Sequence, residues 1–131
     1  MIGLDANLLI RYFAKDDPAQ TRIAVNLIHS LSPAQPGWVG LIALAELVWV
    51  LNRTYKVKKA GIGKILATLL ASREVVIEQS EMAHKGLQLY LSGNADFPDC
   101  LIALSAQAAG CSRTVTFDRI AARDAGMELL A

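Results

Sequence analysis

Four acidic residues stand where a carboxylate needs a reason. Asp5 follows the short apolar run Ile2 to Leu4, and Asp118 follows the run Thr114 to Phe117. If those runs are strands of a parallel sheet, both acids lie beyond the carboxyl ends of strands, where open α/β sheets bind ligands. An aspartate after a strand also caps the helix that follows, so neither decides anything alone. Glu46 is the single ionisable group in LIALAELVWVL, among side chains that favour burial. A buried carboxylate is costly unless paired or metal-bound; a narrow exposed stripe on the helix is the alternative. Asp96 and Asp99 open the helical pattern FPDCLIALSAQAAG. Asp96 reads as an N-cap and Asp99, three residues on, as its capping-box partner. The same helix end keeps a carboxylate ionised, as a hard-metal ligand must be. Asp99, inside the helix, is the better-fixed ligand candidate, with Asp96 as a further one.

Carboxylates on separate elements, with no Cys/His ligand spacing, suit a hard cation such as Mg²⁺ or Mn²⁺ rather than zinc. Such ions hold phosphate oxygens and activate water for phosphodiester cleavage. Without the ion, gathered carboxylates repel, and at least one should hold its proton more tightly than usual. The two histidines, His29 and His84, fall on helical faces where a solvated role is expected.

The elements that must position these acids fit one domain over residues 1–131, enough chain to bury a core unaided. Apolar residues make up 53% of it, charged residues 19%, and the net charge is +1. Contact with a polyanion must therefore come from a local basic patch. Cys100 and Cys111 fall in one expected helix about 16 Å apart at 1.5 Å per residue, too far for a disulfide. No secretory leader is legible at the N-terminus and no apolar run reaches membrane-spanning length. A soluble cytoplasmic protein is expected, its apolar surplus covered in part by a partner.

Short apolar runs alternate with helical patterns, as in an α/β fold with a mostly parallel sheet. Strands are expected at Ile2 to Leu4, Trp38-Val39, Val75 to Ile77, Thr114 to Phe117 and Met127 to Leu130. The first helix runs through Leu8, Leu9 and Tyr12; the second is opened by Asp17 and Pro18. Further helices are expected over Ile42 to Tyr55, Lys58 to Ser72, Ser80 to Leu91, Phe97 to Ala109 and Arg119 to Ala125. Gly110 reads as a left-handed C-cap.

The segments LDANLLIRYF, LAELVWVL, NADFPDCLIA and TFDR, in this order and spacing, resemble the PIN-domain family over essentially the whole chain. The likeness is greatest to VapC-type toxins of bacterial type II toxin–antitoxin systems. The resemblance implies a three-layer α/β/α sandwich around a central, mostly parallel sheet, and Mg²⁺- or Mn²⁺-dependent endoribonuclease activity. It implies that Asp5 and Asp99 are the principal metal-binding carboxylates, Glu46 the third acid and Asp118 the fourth. Asn7 and Thr116 would be polar neighbours that orient water or a carboxylate. It further implies a homodimer and a cognate VapB-like antitoxin whose tail occupies the acidic groove.

An RNA substrate beside an acidic site calls for basic residues at its rim. Arg11, Lys15 and Arg119 lie nearest the expected site in sequence, while Arg53, Lys56, Lys58, Lys59 and Lys64 form the densest positive stretch. Trp38 and Trp49 are expected in the core rather than as base-stacking platforms. Two rivals compete with the nuclease. An aspartate-based phosphotransfer domain lacks its second acid after Asp5 and its late lysine. A catalytically silent PIN-like binding scaffold has no need of all four acids.

Overall fold

A computed structural model describes residues 1–131. The chain divides into two compact units, Met1–Ser80 and Glu81–Ala131.

The first unit carries β1 (Ile2–Gly3), α1 (Ala6–Ala14), α2 (Pro18–Ser30), β2 (Gly37–Val39), α3 (Leu41–Arg53), α4 (Lys59–Ala71) and β3 (Val75–Ile77). Its sheet runs in the order β1-β2-β3 with both pairings parallel, Ile2 facing Gly37 and Val39 facing Ile77. Parallel strands need crossovers, and the helices between them supply these. Gly37 allows a close approach: a Cβ there would lie 2.6 Å from Leu4 Cδ1. Helix α1 packs on α2 and α3, and α4 on α3 and β3. Leu9, Val39, Leu44, Leu47, Leu51, Ile62 and Leu66 are fully buried among these elements. Asp17 caps α2 as its sequence requires, accepting the Gln20 N–H at 3.0 Å with Pro18 in the first turn.

The second unit carries α5 (Ser80–Ser92), α6 (Phe97–Ala108), β4 (Val115–Thr116), α7 (Arg119–Asp124) and β5 (Glu128–Leu129). Strands β4 and β5 pair in parallel, Val115 opposite Glu128, and the Arg113–Glu128 ion pair closes at 2.8 Å beside them. Phe97 and Cys100 are wholly buried, with Tyr90 edge-on to Phe97 at 6.0 Å. Gly110 takes φ 94, the left-handed backbone a β-carbon disfavours, and ends the α6 segment. Cys111 lies past the end of α6 and is exposed, so the two cysteines do not share a helix as expected.

The fold is α/β with every strand pairing parallel, carried by a three-stranded and a two-stranded ladder. No helix is long and apolar enough to cross a membrane.

Candidate functional site

In the first unit, β1 delivers Asp5 to the start of α1. The Asp5 side chain turns back to accept the Leu8 N–H at 3.0 Å, so the capping role is real. The bond occupies Oδ1 and leaves Oδ2 without a hydrogen bond. Asp5 lines an open cleft of about 570 Å³ together with Asn7, Trp38, Ile42, Glu46 and Glu78.

Glu46 corrects the expectation of burial. It is exposed, on the side of α3 opposite Leu44, Leu47, Val48 and Leu51. The helix is apolar nearly all round, so composition could not tell which stripe faces out. Ile42, 80% exposed, and Trp49, 54% exposed, share the open side with Glu46. Trp38, at the cleft, is 36% exposed, so neither tryptophan is core.

Glu78 is the acid that sequence reasoning missed, although it carries the same signal as Asp5: it directly follows the strand β3. Its Oε1 accepts the Leu41 N–H at 2.8 Å, standing in for the side-chain cap that Gly40 cannot provide.

In the second unit the acids are arranged differently. Asp118 Oδ1 accepts the N–H groups of Ile120 and Ala121, both at 2.9 Å, and caps α7. Thr116 Oγ1 accepts the Asp118 N–H at 2.9 Å, so this threonine holds the backbone that aims the carboxylate. Asp96 occupies the N-cap position of α6, but its side chain makes no capping hydrogen bond. The capping box read from Asp96 and Asp99 therefore does not form. Asp99 is half-buried, and its carboxyl holds its proton above the ordinary aspartate range. Burial is the largest cause, followed by the negative charges of Asp96 and of Asp118.

Ion pairs within the units join Arg11 to Asp16, Arg113 to Glu128 and Arg123 to Asp124. None involves Asp5, Glu46, Asp96, Asp99 or Asp118. Arg11 is engaged within the protein. Its guanidinium donates to Gln20 at 2.6 Å, to Asp16 at 3.0 Å and to the Tyr55 hydroxyl at 3.0 Å. The Tyr55 hydroxyl in turn donates to Asp16 at 2.7 Å, and this bond, with the charge of Arg11, keeps the Asp16 carboxyl below its ordinary range. Arg11 thus ties α1 to the turn after α3. Lys15 and Arg119 are exposed.

The donor chemistry fits a hard divalent cation, since every candidate offers carboxylate oxygen. No three Asp, Glu, His or Cys side chains within either unit are gathered closely enough to hold an ion alone. Mg²⁺ does not require such a cage: it keeps several waters and takes one or two carboxylates plus substrate phosphate.

The family described as PIN domain matches this chain over residues 2–126. The chain belongs to the PIN-domain family. The match contains Asp5, Glu46, Glu78, Asp96, Asp99 and Asp118. PIN domains are generally metal-dependent nucleases, and they typically use divalent ions such as Mg²⁺. No curated protein matches this PIN domain closely enough to stand as a relative.

Proposed function

We propose that this PIN domain is a Mg²⁺- or Mn²⁺-dependent endoribonuclease of the VapC toxin type, acting in the cytoplasm as a single 131-residue domain. The observation that carries the reading is the half-buried Asp99, whose proton affinity is raised by burial first and then by the charges of Asp96 and Asp118, with no basic side chain paired to any of the three. Structural carboxylates are ordinarily paired or bonded; these lack a cation, and a divalent ion supplies one.

In this reading Asp5, Glu46, Asp99 and Asp118 hold the ion, with Asp96 beside them. A divalent ion held there would supply Lewis acidity, lowering the pKa of water so that its hydroxide can serve as nucleophile, and positive charge to offset that on the leaving oxygen. The protein supplies orientation. The caps of α1 and α7 fix Asp5 and Asp118 by one oxygen each and leave the other outside these bonds. Asn7 lines the cleft beside Asp5, and Thr116 braces Asp118. Lys15 and Arg119, both exposed, are positioned in sequence to meet RNA phosphates. A VapB-like antitoxin neutralises the enzyme, and the active form is a homodimer; the exposed apolar residues Ile23 and Phe117 are consistent with such partners.

The deciding experiment pairs cleavage with metal binding. RNA cut in the presence of Mg²⁺ or Mn²⁺ should stay intact with Asp5→Asn or Asp99→Asn, and Mn²⁺ should raise the melting temperature of the parent but not of Asp99→Asn. If either variant cuts RNA as well as the parent does, the assignment is wrong. A silent scaffold would neither cut nor respond to the metal.

A further inference from the structure

The open side of α3 carries more than Glu46. Ile42, Glu46, Trp49 and Arg53 follow at spacings of four, three and four residues, which puts them on one face of the helix. All four are exposed. Ile42 and Glu46 line the cleft that holds Asp5. At a rise of 1.5 Å per residue, Trp49 lies about 4.5 Å along the axis from Glu46, and Arg53 about 10 Å from it. The Arg53 guanidinium sits over the Trp49 ring, 5.2 Å from its centre. Lys56 and Lys58 follow in the turn, both exposed.

That turn is held in place. Thr54 and Tyr55 donate their N–H groups to Val50 O, Val57 donates to Leu51 O, and Lys56 takes the left-handed φ of 55. The Tyr55 hydroxyl bonded to Arg11 and Asp16 pins the turn from outside. The cations beyond the tryptophan are therefore presented from ordered backbone.

We propose that Trp49 and Arg53 form a subsite for one unpaired nucleotide of an RNA strand that enters the Asp5–Glu46 cleft. The base stacks on the indole and guanidinium, and Arg53 and Lys56 take the adjoining phosphates. Base–aromatic stacking beside a basic track is the general means of holding single strands without reading their sequence. A protein partner suits this face less well. Glu46 lies within it and lysines continue it, and both residue types are depleted at protein interfaces. The inference rests on the ribonuclease reading and adds to it the place where substrate is gripped.

The test is binding of a fluorescein-labelled single-stranded RNA dodecamer to the full chain in EDTA, followed by polarisation, with cleavage assayed separately in Mn²⁺. Trp49→Ala should weaken binding about tenfold and Trp49→Phe should recover most of it. Arg53→Ala should lower the slope of log affinity against log salt by about one. Both side chains are exposed, and circular dichroism checks that the variants fold. If Trp49→Ala binds RNA as the parent does, or if the parent binds none, the subsite is refuted. If Trp49→Ala leaves RNA binding alone but changes the oligomeric state on gel filtration, the face is a protein interface and the subsite is again refuted. The two readings fail separately. A parent that grips RNA through Trp49 yet never cuts it loses the nuclease assignment and keeps the subsite. A Trp49→Ala variant that binds and cuts normally does the reverse.

Discussion

The acids of the two units meet the same backbone demands with opposite results. In Met1–Ser80 the carboxylates of Asp5 and Glu78 each serve a helix start, and Glu46 stands in water. In Glu81–Ala131 only Asp118 serves as a cap, while Asp96 and Asp99 stand close to it with no amide and no basic side chain to offset them. A carboxylate that satisfies a backbone amide is explained by the fold. One that raises its neighbour's proton affinity is not, and it opposes stability unless something else uses it. The second unit therefore carries the stronger sign of function, although its acids looked the more ordinary in sequence.

The contrast can be broken most forcefully through activity. Asp5→Asn and Asp99→Asn should each reduce RNA cleavage by about a hundredfold or more, because each removes a charge that no remaining group replaces. Asparagine still caps a helix, so Asp5→Asn should melt as the parent does, which separates chemistry from folding. Cleavage that survives only Asp5→Asn would place the chemistry in the second unit alone.

Next in size is the cap of α7. Asp118→Ala removes the acceptor of two N–H groups and should cost about 1 kcal/mol, lowering the melting temperature by about 3–5 °C. Asp118→Asn should recover much of that without restoring cleavage.

A smaller effect concerns pH. The folded-state pKa of Asp99 is raised, so its protonated form is favoured by folding. The stabilisation it brings is complete below the ordinary aspartate range and is lost as pH rises through the folded value. In EDTA, Asp99→Asn should therefore melt slightly higher than the parent at neutral pH, and the gap should close on acidification. Asp96→Asn should lower the Asp99 pKa toward normal, as carboxyl NMR titration would read. If Asp96→Asn leaves that pKa unmoved, burial and Asp118 account for the shift and the comparison between units weakens.

The smallest effect belongs to Glu78. Glu78→Ala leaves the Leu41 N–H without its acceptor and should cost about 0.5–1 kcal/mol, whereas Glu78→Gln should be nearly neutral. A large loss of cleavage from Glu78→Gln would instead enlist this acid in the site.

Much of this architecture was legible because its signals are local. Val75–Ile77 is the strand its residues predict, and Asp17-Pro18 opens α2 as read. Strand ends placed Asp5 and Asp118 correctly for the same reason. Three features lay beyond reach. The outward face of α3 depends on which apolar side meets α1 and α4, and a helix apolar on both sides does not declare it. Whether Asp96 bonds its helix depends on side-chain geometry, not residue type. The fate of Arg11 was decided by Tyr55, a partner 44 positions away along the chain. Glu78 could have been found, since an acid directly after an apolar strand marks it as it marks Asp5.

The caps of α1 and α7 give the carboxylates an audience inside the protein. The amides of Leu8, Ile120 and Ala121 hydrogen-bond side chains whose second oxygens take no part in these bonds. A proton or cation arriving at the second oxygen draws electron density from the first and loosens its hold on those amides. Hydrogen exchange at these three N–H groups should therefore follow the charge state of Asp5 and Asp118 in real time, with no substrate present and no label added.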